Sequence, residues 1–374
     1  MSSTAWERYL AAFREPSGYL NFASYGPPSQ AVVDTIGGLA QAAADGEASA
    51  RLHAEDRRAL AAVSRLSGFA PDAVTLTSST SLGLFQIAFG LPPGEVLVSA
   101  AEFPSNLYAW WRSEEAGLTR VRTLPPVAGV PLAPVTAARV AEAVTADTVA
   151  VAVSAVDFRT GARADLAALR DAVGDRLLIV DGIQGFGVIE ADWTLADALV
   201  VGGQKWLRAG WGTGFLALSP RALERLRPLL GGWTGVEEAG LYDGRPHPAL
   251  PGAQRLSITN ASPFSSGALA TALELLESVG VPTVGRRIAD RTGQLSTALT
   301  DAGFPVLSPQ EDGARAGIVV AHVADRSAPT TVARLAERGV TATAHGSDRV
   351  RLSVHATTSS SAVDAAIDAL KGTP

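Results

Sequence analysis

Short runs of Val, Leu, Ile and Ala, bounded by glycine, proline and polar residues, recur along the first two thirds of the chain. They read as strands at Ala73–Thr77, Glu95–Ser99, Val149–Ser154, Leu177–Asp181, Ala198–Val201 and Gly214–Leu218. Helical spacing falls between them, as at Val135–Val144 and Leu166–Val173. Alternating strands and helices predict a mainly parallel sheet with helices on both faces. From about Ser262 a long helical stretch leads into a second pattern. It comprises strand Ile318–Val323, helix Thr330–Arg338, strands Val340–Thr343 and Val350–Val354, and helix Ala362–Leu370. That pattern predicts a small α+β unit. The Pro-rich stretch Pro125–Pro134 reads as a surface loop, and the Gly- and Pro-rich stretch Leu229–Gln254 as a crossing segment.

Composition supports a large buried core: 374 residues are 47% apolar and only 18% charged, which excludes disorder. The formal net charge of −6 leaves no basic stripe and argues against nucleic-acid or anionic-membrane partners. Met1–Glu7 lacks the basic-then-apolar order of a signal peptide, and the uncharged stretch Ala73–Gly94 is broken by Thr, Ser, Gln and a Pro-Pro-Gly turn. A cytoplasmic protein without a membrane partner is expected. Zero cysteines exclude disulfides, thiolate metal sites and a cysteine nucleophile. The five histidines show no metal-ligand spacing, so no metal is expected.

The basic residues are biased. Only Lys205 and Lys371 are lysine among 31 Lys and Arg. Lys371 lies at the chain end, whereas Lys205 sits in apolar, Gly-rich Ala-Leu-Val-Val-Gly-Gly-Gln-Lys-Trp-Leu. A desolvated lysine can become a neutral amine and form a Schiff base, which arginine cannot. A snorkelling lysine at a strand end is the alternative.

Ligands of open α/β sheets bind at the carboxyl ends of strands. Three predicted strands end on chemistry: Leu177–Val180 on Asp181, Val74–Thr77 on Ser78-Ser79-Thr80-Ser81, and Ala198–Val201 on Gly202-Gly203-Gln204-Lys205. A hydroxyl run at a helix start suits a phosphate. Asp181 alone could merely cap a helix. Together the three match the needs of pyridoxal 5′-phosphate: a lysine, a carboxylate for the ring nitrogen and a phosphate cradle.

The segment Val180-Asp181-Gly-Ile-Gln184-Gly-Phe-Gly187, with Lys205-Trp206-Leu207 and Gly212-Thr-Gly214-Phe, resembles the core signature of class V aminotransferases, fold-type I enzymes that use pyridoxal phosphate. Tyr19–Pro27 resembles that family's N-terminal segment. Glu102–Tyr108 and Val156–Gly161 resemble its kynureninase and isopenicillin N epimerase-like branches, Gly231–Gly235 resembles kynureninase, and Val350-Arg351-Leu352-Ser353 resembles the substrate-carboxylate motif.

The resemblance implies a seven-stranded, mainly parallel sheet in a large cofactor domain, residues 21–254. It implies a small domain at 255–374, with residues 1–20 packed on it. It implies Lys205 and Asp181 as catalytic residues, with Phe103 stacked on the ring. Ser79, Thr80 and Gln204 would lie at the phosphate, and Gln184, Asp157 and Asn106 near the ring. Trp233 and Asn260 would reach the phosphate across a homodimer interface. Arg351 and Tyr25 would hold a small amino-acid substrate. Thr357-Thr358-Ser359 stands where the family carries Tyr-Asn-Thr. Without cysteine, the cysteine desulfurase branch is set aside as chemistry. Transamination is the expected reaction, with a lyase (β-elimination or cleavage) and a catalytically inactive binding protein of this fold as alternatives. An unrelated nucleotide-binding oxidoreductase would need a Gly-x-Gly-x-x-Gly after the first strand, which is missing.

Overall fold

The computed structural model describes residues 3–130, 132–311, 313–323 and 327–372. Its larger sheet has seven strands: β1 (Val74–Leu76), β2 (Glu95–Ser99), β3 (Arg120–Leu124), β4 (Thr148–Ser154), β5 (Leu177–Asp181), β6 (Ala198–Gly202) and β7 (Gly214–Leu218). They lie in the order β1-β7-β6-β5-β4-β2-β3. Only β7 runs against its neighbours, so the sheet is mainly parallel, as expected. Every residue of β5, β6 and β7 is buried. Each buried Val, Leu or Ile there contributes roughly 1.5–3 kcal/mol, which is why these strands read as unbroken apolar runs.

Strand β3 is an addition to the sequence expectation. It is an edge strand whose arginines, Arg120 and Arg122, break the apolar run, and only Leu124 is buried. Charged edge positions discourage further pairing, and they also hide the strand from a hydrophobic pattern.

A second sheet, order β8-β10-β9, is antiparallel: β8 (Ile318–His322), β9 (Thr343–His345) and β10 (Arg349–Ser353). The expected strand at Val340–Thr343 is displaced to Thr343–His345. Val340 is apolar because it packs in the core of this sheet, not because it joins the ladder.

Among the described helices are α1 (Ser3–Ala11), α2 (Gln30–Ala44), α3 (Ala54–Ser67), α4 (Thr80–Gly90), α5 (Ser105–Glu115), α6 (Pro263–Val279) and α7 (Val281–Asp301). Helix α6 packs against α2 and α3 in the core beside the large sheet. Helix α7 gives Val284 and Ile288 to that core and Leu295 and Leu299 to the core of the small sheet. The two helices meet at an 82° bend, and among the described residues no single helix is long and apolar enough to cross a membrane.

The N-terminal segment ties these layers together. Leu20 is in the small-sheet core, with its carbonyl accepting from Ser353 N–H at 2.7 Å. A few residues on, Gly26 donates its N–H to the Gln204 carbonyl at 2.9 Å. A Cβ at Gly26 would lie 1.9 Å from the Lys205 carbonyl oxygen, so only glycine permits this crossing.

Candidate active site

Parallel strands β4, β5 and β6 bring Ser154, Asp181 and Gly202 to one edge of the sheet, with Lys205 three residues beyond. A cavity of about 400 Å³ opens there. Of the residues singled out in the sequence, Ser79, Thr80, Phe103, Asp181, Gln184, Gln204, Lys205 and Arg351 line it. Ser24 and Trp211 line it as well; neither carried a distinct signal, Ser24 being one hydroxyl in a Gly- and Tyr-rich turn.

Lys205 is buried, and desolvation pushes its amine down to about 8; Asp181 opposes this and Arg351 adds to it. Its Nζ lies 5.2 Å from the Phe103 ring centroid. Asp181 is buried too. Desolvation pushes its carboxyl up to about 6, against the pull of the Ile183 N–H, which donates to Oδ1 at 3.0 Å, and of Lys205. The dry wall therefore moves both groups toward their neutral forms near pH 7. That is where proton exchange is cheapest.

In the same cavity Arg351 donates from Nη2 to Ser24 Oγ at 2.7 Å and from Nη1 to the Phe158 carbonyl at 3.1 Å. Its Nε is buried without a hydrogen-bond partner. Burial draws the guanidinium down to about 10, still charged at neutral pH. These contacts fix the fork that a carboxylate would meet.

The residues fit pyridoxal 5′-phosphate. Ser79 caps α4, its Oγ accepting from Leu82 N–H at 3.1 Å, and this helix start faces the cavity. Thr80 Oγ1 is buried there without a partner. A Cβ at Gly202 would stand 2.8 Å from Thr80 Oγ1 and 2.6 Å from Gln204 Oε1, so the glycine leaves room for both polar groups. An orphaned hydroxyl beside a helix N-terminus is the donor set an anion requires. Gln184 is spoken for on both ends: its Nε2 donates to the Ala23 carbonyl at 2.9 Å, and its Oε1 accepts from Trp206 Nε1 at 2.7 Å.

Five singled-out residues stand outside the cavity. Asn106 is fully buried in the first turn of α5, its Oδ1 accepting from Trp110 Nε1 at 3.1 Å and its Nδ2 donating to Glu102 Oε2 at 3.2 Å. Asp157 is paired with Arg159 at 2.6 Å beneath the neighbouring loop. Tyr25 backs the cavity indirectly, stacked at 5.4 Å on Trp211. Trp233 is half exposed, and Asn260 lines a separate cavity of about 440 Å³ that shares Ser78 and Gly212 with the first. Thr357 accepts from Arg208 Nη1 at 3.2 Å and also meets Glu15, clamping the turn after Lys205. Glu102, which the sequence reading quoted only as part of a motif, is buried behind the ring wall.

The sequence model for aminotransferase class V matches residues 39–366. The chain is 28% identical over 262 residues to a kynureninase of Deinococcus radiodurans, covering 67% of this chain and 59% of that protein. It is 31% identical over 274 residues to a probable cysteine desulfurase of Aeropyrum pernix, covering 69% of this chain and 65% of that one. The matched stretches thus span less than two thirds of either relative. A solved structure of the cystine C–S lyase C-DES with its product cysteine persulfide superposes with a TM-score of 0.88. It covers 97% of this chain and 99% of that one at 19% identity, a likeness of fold. A desulfurase therefore stands among the relatives even though this chain has no cysteine.

Proposed function

The chain belongs to the class V aminotransferase family and is a pyridoxal 5′-phosphate enzyme, and from that premise we propose that it cleaves a Cβ substituent from a carboxylate-bearing α-amino acid. The observation that carries the reading is the convergence of Lys205, Asp181 and Arg351 on one cavity. The kynureninase and desulfurase relatives favour a lyase over the amino-group transfer that the family label suggested. The absence of cysteine means that a sulfur leaving group would depart to solution and not onto a protein thiol.

Bound pyridoxal phosphate supplies an electron sink for charge developing at the substrate Cα. Lys205 would hold the cofactor through its amine, and its Nζ would take the substrate Cα proton and return it. Asp181 would keep a proton on the ring nitrogen. Phe103 would offer a flat apolar face that excludes water from the ring. Ser79, Thr80 and Gln204 would hold the phosphate. Arg351 orients the substrate carboxylate, so that the bond to the Cβ substituent can break with its electron pair leaving on that group.

A panel of amino acids tests the reaction. Release of a 2-oxo acid and ammonia from substrates with a good Cβ leaving group, with the cofactor unchanged, is expected. Accumulation of pyridoxamine phosphate would instead establish transamination. In the same panel, Arg351→Ala is expected to raise KM by roughly 10–100-fold, the equivalent of one lost charged hydrogen-bonded pair. Arg349 lies two residues away on the same face of β10, its Nε 3.4 Å from Asp348. If Arg349→Ala alone shows the defect, the carboxylate is held there.

A homodimer completes the proposal. Trp211, Trp233, Tyr242, Ile258 and Phe264 are all exposed, and the second cavity, with Asn260, opens beside the first. A second copy of the chain would cover this apolar surface and bring Trp233 and Asn260 toward the partner's phosphate site. Light scattering should return twice the 38.5 kDa chain mass. A fully active monomer rules this out.

A further inference from the structure

Behind the cavity wall lies a buried acid that the proposed chemistry does not use. Glu102 follows β2 and directly precedes Phe103. Its Oε1 accepts from Ser154 N–H at 3.0 Å, its Oε2 accepts from Asn106 Nδ2 at 3.2 Å, and Oε2 also meets the Ser154 hydroxyl. Ser154 ends β4 and is the register partner of Asp181 on β5. One carboxyl group thus joins the end of β2, the end of β4 and the first turn of α5. Phe103 projects from this junction, and Asp181 lies on the strand paired with it, opposite Ser154.

We propose that Glu102 is a positioning residue, an uncharged acid below neutral pH, that locks the Phe103 ring toward Lys205 and braces Ser154, the strand neighbour of Asp181. The proposal rests on the pyridoxal phosphate reading above.

The charged groups around Glu102 decide its state. Asp181, at the end of β5, disfavours a second negative charge. Arg159, on the loop after β4, is already matched to Asp157 at 2.6 Å. Arg163 shares the small cavity beside Glu102 and turns its Nη2 to the Glu190 carbonyl at 3.2 Å. No cation is paired with Glu102 among the described residues, and its partners are one amide, one backbone N–H and one hydroxyl. Burial pushes its carboxyl up to about 7, with the three hydrogen bonds opposing and Asp181 adding to the rise. A protonated Glu102 keeps every contact, with its O–H donating to Ser154 Oγ. Ionising it would place a second negative charge in the same buried region as Asp181.

Asn106 fits the same arrangement. Its amide is used up between Glu102 and Trp110, so the motif asparagine acts on the wall and not on the cofactor.

The test compares Glu102→Gln, which is isosteric and always neutral, with Glu102→Ala. Wild-type apoprotein at pH 6 should show the infrared carbonyl stretch of protonated buried carboxyls, with one component lost in Glu102→Gln and kept in Asp181→Asn. Equilibrium affinity for pyridoxal phosphate, followed by absorbance, should stay within about threefold in Glu102→Gln and fall roughly 10–100-fold in Glu102→Ala, which leaves the amide and the N–H unpaired. If Glu102→Ala does not fold, Ser154→Ala takes its place, with a several-fold loss expected. Three results overturn the proposal: no protonated-carboxyl component that depends on Glu102, a Glu102→Gln defect as large as that of the truncation, or a truncation that binds like the wild type. Wild-type protein that binds no pyridoxal phosphate would instead overturn the functional reading, while the infrared band would still report on Glu102.

Discussion

Lys205→Ala is expected to abolish turnover, by at least ~10³-fold, and to leave no cofactor fixed to the protein by borohydride. The fold should survive, because the substitution removes a buried amine that desolvation already penalises. Lys205→Arg should be equally inactive, since a guanidinium cannot be deprotonated to attack a carbonyl. Lys371, the other lysine, is exposed at the end of the last helix, and its alanine variant serves as the unaffected control.

The lowered amine adds a pH signature. With a folded value of about 8, the neutral, reactive fraction rises about tenfold between pH 6 and 7 and levels off above about pH 9. The rate of cofactor attachment to the apoprotein should follow that curve. An unshifted lysine would keep accelerating past pH 10. The same shift bears on stability: the unfolded chain binds more protons than the folded one between about pH 8 and the ordinary lysine value. Lys205 alone therefore makes the apoprotein more stable as pH rises through that window. A Lys205→Ala protein with wild-type rates would sink the whole functional reading.

Lysine scarcity is what made Lys205 legible. In a chain that uses arginine almost everywhere, a lone lysine in a glycine-rich apolar run is conspicuous without any structure. Asp181 was legible for a related reason: a five-residue buried strand that ends on a carboxylate announces a group placed at a strand end. Local pattern failed where long-range packing decides. Strand β3 carries alternate arginines because it is an edge, and Val340 is apolar for the core and not for the ladder.

Side-chain allegiance was hidden for the same reason. Asn106 and Asp157 lie in motifs that surround the site, yet each is captured by a neighbour, Trp110 with Glu102 in one case and Arg159 in the other. Nothing in residue spacing tells a cofactor contact from a contact that holds the wall behind it. Glu102 shows the converse. Its weight comes from Ser154, 52 residues away, and that pairing exists only once β2 and β4 lie side by side.

Asp181→Asn should cost roughly 10²–10³-fold in turnover while leaving cofactor attachment intact. The substitution keeps the shape and the bond from Ile183 N–H to Oδ1, so the strand end should hold its place. What it removes is the negative charge. At pH 7 the wild-type carboxyl, at about 6, is mostly ionised, and a protonated ring nitrogen beside it would hold it more firmly so. An amide cannot stabilise that proton, and the electron sink weakens. The expected loss corresponds to ~2.7–4 kcal/mol, the size seen when one preorganised electrostatic partner is deleted from an active site. The variant also carries a second, signed consequence. Asp181 is the group that raises the Lys205 amine against desolvation, so without it Lys205 titrates lower still. The attachment-rate curve of Asp181→Asn should therefore shift to lower pH than the wild type, even as turnover collapses. Slow turnover with fast, acid-shifted attachment separates the ring-nitrogen carboxylate from a residue that merely supports the fold. Undiminished turnover in the asparagine variant would move that role away from Asp181.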